Sequence, residues 1–122
     1  GTYITATISN SSVSLSNETI FNESSENITS DISTLYDPDS DKVVIFYTNN
    51  NKLCSKVGSI VSNNLVFNSQ IESLINRADT ITSYYDTVNN KIILSYIDLS
   101  TNYTNSVIIS TSFLQTRTLV FP

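Results

Sequence analysis

The chain has 122 residues, of which 39% are hydrophobic and only 14% charged, and Ser, Thr and Asn supply 51 positions. Its Tyr, Phe, Val and Ile residues are gathered in short runs, which a disordered segment lacks, so we expect a folded, soluble region. With a net charge of −5 and only six Lys and Arg, it offers no basic patch, and neither nucleic acid nor an anionic membrane is an expected partner.

The first elements along the chain are half of a repeat, in residues 1–25. The segment ATISNSSVSL, residues 6–15, resembles GSIVSNNLVF, residues 58–67. Two related segments at this distance indicate that the residues before about 25 are the second half of a repeat unit.

The first complete repeat spans residues 31–71 and predicts four strands. β-branched and aromatic runs bounded by Asn, Asp, Ser and Pro clusters place these strands at 33–36, 43–48, 53–61 and 65–67. The turn DPDSD joins the first two strands, so we expect an antiparallel hairpin there.

The second complete repeat spans residues 80–121. A shift of 49 positions places ISTLYDPDSDKVVIFY, residues 32–47, on ITSYYDTVNNKIILSY, residues 81–96, with five identities and five conservative exchanges among the sixteen pairs. The predicted strands are 81–85, 91–97, 103–110 and 118–121, and DTVNN forms the turn between the first two.

Two strands are predicted to be interior, and the turns are predicted to depend on Asn. KVVIFY and KIILSY are nearly continuous apolar runs, as expected of strands covered on both faces. Gly occurs only at positions 1 and 58, so tight turns must use Asn and Asp, which tolerate a left-handed backbone. The predicted turn residues are Asn49, Asn50, Asn51, Asn63, Asn64, Asn89 and Asn90.

Four short antiparallel strands that recur about every fifty residues are typical of a β-propeller blade, with a β-sandwich as the alternative. Two and a half blades cannot close a ring. We therefore expect either further repeats in a longer parent protein, which the absence of Met also suggests, or several copies that assemble.

The segment YDPDSDKVVIFYTNNN, followed by VGSIV and LVF, resembles repeats of bacteriophage and large-virus tail-fibre-like proteins. The resemblance extends from Ala6 to Phe121, and it implies a propeller-like fold and a component of a virion or appendage. The chain departs from the usual pattern by having Asn where Gly is common at the turns. Trp and His are absent, so the motifs of sialidase and WD40 blades are missing.

Catalysis and cofactor binding are not expected. The chain has no His, and Cys54 is its only cysteine, so neither a disulfide, nor a common zinc site, nor a usual catalytic triad can be built within it. Pairs of carboxylates could serve a glycosidase, but their spacing selects none of them. The chain is therefore predicted to be no enzyme.

Three carboxylates form the pattern D-x-D-x-D and are a candidate calcium site: Asp37, Asp39 and Asp41. An EF-hand would need Gly at its sixth position and Glu at its twelfth, where this chain has Lys42 and Thr48. The favoured interpretation is a solvated turn.

Exposed Tyr can stack on sugar rings, so Tyr residues are candidate ligand contacts. Tyr36, Tyr47, Tyr85 and Tyr96 recur at matching repeat positions and are predicted to pack. Tyr84 and Tyr103 have no Tyr counterpart and are the candidate surface residues. Asn-x-Ser/Thr sequences begin at Asn10, Asn17, Asn22, Asn27 and Asn102, and their number is what composition alone gives.

The leading hypothesis is a non-catalytic structural or adhesive component of a viral particle, such as a phage tail fibre. Its predicted location is the virion or the extracellular space. Its expected partners are other virion or appendage proteins, further copies of the chain, and a host-surface glycan or receptor. The alternatives are a secreted carbohydrate-binding or glycosidase-like propeller and an extracellular filament subunit.

Overall fold

The computed structural model describes residues 1–22, 25–29, 31–68 and 71–110. These residues form antiparallel strands and no helix, which confirms the predicted all-β fold, and none of the sheets closes on itself. No helix of the described segments is long and apolar enough to span a bilayer. The strands are β1 (Thr2–Tyr3), β2 (Ala6–Ser9), β3 (Ser12–Leu15), β4 (Thr19–Ile20), β5 (Ser33–Asp37), β6 (Lys42–Asn49), β7 (Lys52–Val61), β8 (Asn64–Phe67), β9 (Ile71–Asn76), β10 (Ala78–Asp86), β11 (Lys91–Asp98) and β12 (Tyr103–Ser110).

The first sheet is built from β5, β6, β7 and β8 in sequence order, with β9 added on β7. The long strand β7 has two partners along its outer edge: β9 pairs with its first half and β8 with its second half. The four strands predicted for the first repeat agree with β5 to β8 within one residue at each end. Strand β9 was not predicted.

The second sheet has the order β10, β11, β12. Its first hairpin pairs Asp86 with Lys91, as the first sheet pairs Asp37 with Lys42, so the 49-residue spacing holds for the strand register as well as for the sequence. Strand β10 begins at Ala78, earlier than predicted, and its register shifts between Asp79 and Thr82. The predicted strand 118–121 lies outside the described residues.

The N-terminal half sheet is our name for two separate two-stranded sheets, β1 with β4 and β2 with β3, which together repeat the outer half of the first sheet. The pairs Thr2↔Ile20 and Ala6↔Leu15 recur as Cys54↔Glu72 and Gly58↔Phe67, in each case 52 positions later. Strands β1 and β2 therefore correspond to β7, and β3 and β4 correspond to β8 and β9. The half sheet has no counterpart of β5 and β6 among the described residues.

The turns depend on Asn, as predicted. Asn50, Asn51, Asn63 and Asn90 have positive φ angles of 50°, 65°, 64° and 52°, a conformation that Asn adopts more readily than most residues. Asn10 and Asn102 share this conformation and were not among the predicted turn residues. By contrast, Asn49 ends β6 and Asn64 begins β8, so these two lie at strand termini.

Two apolar cores lie on opposite sides of the first sheet. In β6, Val44 and Phe46 belong to the core shared with the second sheet, whereas Ile45 and Tyr47 belong to the core shared with the N-terminal half sheet. Strand β6 is therefore buried on both faces, as predicted. Strand β11 is interior in its sheet, but only its alternate residues are buried, so the prediction that both of its faces are covered is wrong for the described chain.

Candidate interaction surfaces

The sheets stack face to face in chain order. We call the face of a sheet that points toward the preceding unit its front and the opposite face its back. The front of the second sheet packs on the back of the first sheet, and burying these apolar side chains is the main stabilising contribution. The buried residues of this contact are Val44, Phe46, Leu53 and Val57 from the first sheet and Ala78, Ile81, Ile92, Leu94, Tyr96, Val107 and Ile109 from the second.

A polar contact fixes the position of the two sheets relative to each other. The hydroxyls of Ser33 and Ser83 lie 2.7 Å apart, and the Ser83 backbone N–H donates to Ser33 Oγ at 2.9 Å. Because hydrogen bonds are directional while apolar contacts are not, this pair selects one alignment of β5 against β10.

N-terminal residues contact the front of the first sheet, although every residue of β2 and β3 is exposed. The ring of Phe21 meets that of Tyr47 edge to face, with centroids 5.5 Å apart, and Tyr3 meets Phe67 in the same way at 5.5 Å. The Tyr3 hydroxyl also donates to the backbone oxygen of Leu65 at 2.9 Å. The first sheet is thus contacted on both faces, more extensively on its back than on its front.

A buried ion pair lies within this second contact. Lys56 Nζ is 3.5 Å from Glu26 Oε2, and their side chains are only 5% and 4% exposed. The ammonium also donates to the backbone oxygen of Phe21 at 2.8 Å, and the Tyr47 hydroxyl donates to Glu26 Oε1 at 2.7 Å. Charges removed from water need such partners, so this group ties the N-terminal residues to β6 and β7.

The two candidate tyrosines are both exposed, but they do not form one platform. Tyr84 pairs with Ile93 on the back of the second sheet, whereas Tyr103 lies four residues from the buried Val107 in β12 and so shares its face, the front. Of the repeat-matched tyrosines, Tyr47 and Tyr96 are buried as predicted. Tyr85 is half-buried and packs against the core between the two sheets, and Tyr36 is 51% exposed at a strand end.

The candidate calcium ligands serve the turn between β5 and β6. The buried Asp37 accepts hydrogen bonds from the Asp39 backbone N–H at 3.0 Å and from Ser40 Oγ at 2.5 Å, and Asp41 accepts one from the Tyr36 hydroxyl at 2.8 Å. In the described part of the chain, no three or more His, Cys, Asp or Glu residues come together as metal ligands. The arrangement is that of an Asp-stabilised turn.

The equivalent turn of the second repeat uses Asp86 in the same way. Its carboxylate accepts from the backbone N–H groups of Val88 and Asn89 and from the Asn89 side-chain amide at 2.7 Å. The Asn89 side chain, followed by the two backbone N–H groups, lowers the pKa of Asp86 below 3.8 because these donors favour the charged form.

Acid is therefore expected to weaken the second sheet through Asp86. A group with a lowered pKa contributes its stabilisation above its unfolded value of about 3.9 and loses it as the pH falls through the folded pKa. We expect Asp86→Asn to lower the urea midpoint near neutral pH, and the difference from wild type to shrink as the pH falls from the unfolded pKa of about 3.9 through the lower folded pKa. Asp31→Asn, at an exposed carboxylate outside this turn, is the control. A difference that does not change with pH would contradict this account.

Sequence reasoning did not find Lys56 and Glu26, because a lone Lys in a strand is usually exposed and only the tertiary contact buries it. It also did not identify the exposed aliphatic residues of the N-terminal half sheet as a surface. The alternation of apolar residues in ATISNSSVSL is the signal that could have shown them.

No protein-family model, curated protein or solved structure matches the chain.

Proposed function

We propose that the chain is a structural or adhesive module of a viral particle, such as a phage tail fibre, in which β-sheets of one repeat stack as the blades of a propeller-like assembly. The observation that supports it is the packing of the front of the second sheet on the back of the first, together with the contact of Tyr3 and Phe21 with the front of the first sheet. Sheets that stack in one direction can form an extended scaffold, and such a scaffold suits a repeating component of a particle.

The virion part of the proposal depends on the resemblance of YDPDSDKVVIFYTNNN and its flanking segments to repeats of tail-fibre-like proteins. The side chains named in that resemblance are used for packing and turns. Val44 and Phe46 fill the core between the sheets, and Asp37 stabilises the hairpin turn. This use of the motif is that of a scaffold, and it accords with a role without catalysis.

Mass spectrometry of gradient-purified particles from the host that carries the gene tests the location. We expect peptides of this chain in the particle fraction at a constant ratio to the major structural protein, and labelling of the appendages by an antibody against the chain. Peptides found only in cell-associated or secreted filaments would overturn the virion assignment and favour the filament subunit.

A further inference from the structure

One face of the N-terminal half sheet is aliphatic and open. Ile8 pairs with Val13 and is 75% exposed, and Leu15, opposite Ala6, is 63% exposed. Side chains on one face of a strand alternate with those on the other, and Tyr3 of the opposite face contacts the first sheet. The open face is therefore the front of the half sheet. Its large exposed residues are Ile4, Ile8, Val13, Leu15 and Ile20.

This front face corresponds to a surface that is partly covered within the chain. At the 52-residue spacing, Val13 and Leu15 match Leu65 and Phe67 of the first sheet. In the first sheet, both of these residues are half-buried and Phe67 packs against Tyr3, whereas Ile60, the match of Ile8, is 61% exposed. The open aliphatic face is thus related to a surface that binds residues of a neighbouring unit through part of its area.

At the other end of the stack, the back of the second sheet is exposed in the described part of the chain. In the second sheet, Tyr84, Ile93 and Ile108 form one cross-strand row, and Tyr84 and Ile108 are 64% and 67% exposed. In the first sheet, the row at the same place is Leu35, Val44 and Val57, which packs on the second sheet.

Two of the polar residues on this back face are compatible with burial. Ser95 and Ser106 lie side by side, and their hydroxyls are 2.7 Å apart, so each has a hydrogen-bond partner within the sheet. Burying a hydroxyl that keeps its hydrogen bond costs little free energy. The first contact already contains such a pair, Ser33 with Ser83.

We infer that the front of the N-terminal half sheet of one copy docks on the back of the second sheet of another copy, through Ile8, Val13 and Leu15 against Tyr84, Ile93 and Ile108. The inference rests on the stacking role proposed above. The contact extends the front-to-back packing seen between the first and second sheets, and contiguous exposed apolar surface is where such contacts form. Because the two surfaces differ, the assembly is head to tail and grows into a ring or a filament.

Two variants, each carrying one new charge, test the contact. Ile8→Glu alters the front face and Ile108→Glu the back face, while Val88→Glu, at an 87% exposed turn residue on neither face, is the matched control. By sedimentation velocity over a concentration series, wild type and Val88→Glu are expected to associate. Ile8→Glu and Ile108→Glu are each expected to weaken association about 100-fold or more, since a docked Glu would lose its hydration without a partner.

Mixing the two defective variants distinguishes this interface from others. The intact back of Ile8→Glu can bind the intact front of Ile108→Glu, so a 1:1 complex that grows no further is expected. A contact between two identical faces would instead leave one variant able to dimerise by itself and would overturn the inference. A wild-type chain that stays monomeric, or a mixture that does, would also overturn it.

Circular dichroism verifies that each variant folds, and Leu15→Glu with Tyr84→Glu forms a second pair if one of the first does not. The sedimentation result and the mass spectrometry of particles test different proposals. A monomeric chain whose peptides are found in particles refutes the docking alone, whereas head-to-tail assembly of a chain absent from particles refutes the virion role alone.

Discussion

Replacing Phe46 by Ala is expected to lower the free energy of unfolding by about 3–5 kcal/mol, the usual cost of emptying an aromatic site in a packed core. Phe46 is fully buried between the first and second sheets, with Val44 beside it on the same face of β6. Domains of this size are stable by only about 5–15 kcal/mol, so the variant should be partly unfolded in mild denaturant. Urea unfolding followed by circular dichroism measures the effect.

Tyr84→Ala is the matched control for Phe46→Ala. It also truncates an aromatic residue on the back of a sheet, but Tyr84 lies on the open back of the second sheet and is 64% exposed. Its expected effect on stability in the monomer is within about 0.5 kcal/mol, as for most surface substitutions. Similar losses in the two variants would mean that the first and second sheets do not share the core described here.

Lys56→Met is expected to lower the free energy of unfolding by about 3–5 kcal/mol, because it removes one partner of a buried ion pair and leaves the other charge without it. The Glu26 carboxylate would keep the hydrogen bond from the Tyr47 hydroxyl but lose the ammonium 3.5 Å away. The Phe21 backbone oxygen would lose its donor as well. The expected result is loosening of the N-terminal residues before global unfolding.

The double variant Lys56→Met, Glu26→Gln gives the decisive comparison. If the two charges interact as described, the double variant should be more stable than Lys56→Met alone, because it buries neither charge of the pair. Lys52→Met removes an exposed Lys of the same strand and should change the stability by less than about 1 kcal/mol. Additive effects of the two substitutions would rule out the coupling between Lys56 and Glu26.

Local pattern predicted most of the fold. The runs KVVIFY and KIILSY, the Asp turn before each of them and the 49-residue spacing gave β5 to β8 and much of β10 to β12, because hairpins are local and their turns have recognisable residues. Strand β9 was not predicted because IESLIN has no clear strand pattern. It pairs where β8 leaves half of the β7 edge uncovered, and only the tertiary arrangement determines that.

Burial was harder to predict than pairing. The sequence of β11 is as apolar as that of β6, yet only β6 has a neighbouring sheet on both sides in the described chain. The pattern thus indicated how many faces of a strand are apolar enough to be buried, without indicating which element buries them. The candidate tyrosines show the same limit: exposure of Tyr84 and Tyr103 followed from the repeat comparison, but their placement on opposite faces required the strand register.

The buried position of Cys54 makes its thiol a probe of local opening in the chain. It is the only cysteine, it is fully buried, and it lies with Phe21, Ile45 and Tyr47 in the core under the N-terminal half sheet. A thiol reagent can reach it when that contact opens or when the first sheet itself unfolds. Labelling that is faster than global unfolding therefore reports detachment of the N-terminal segment.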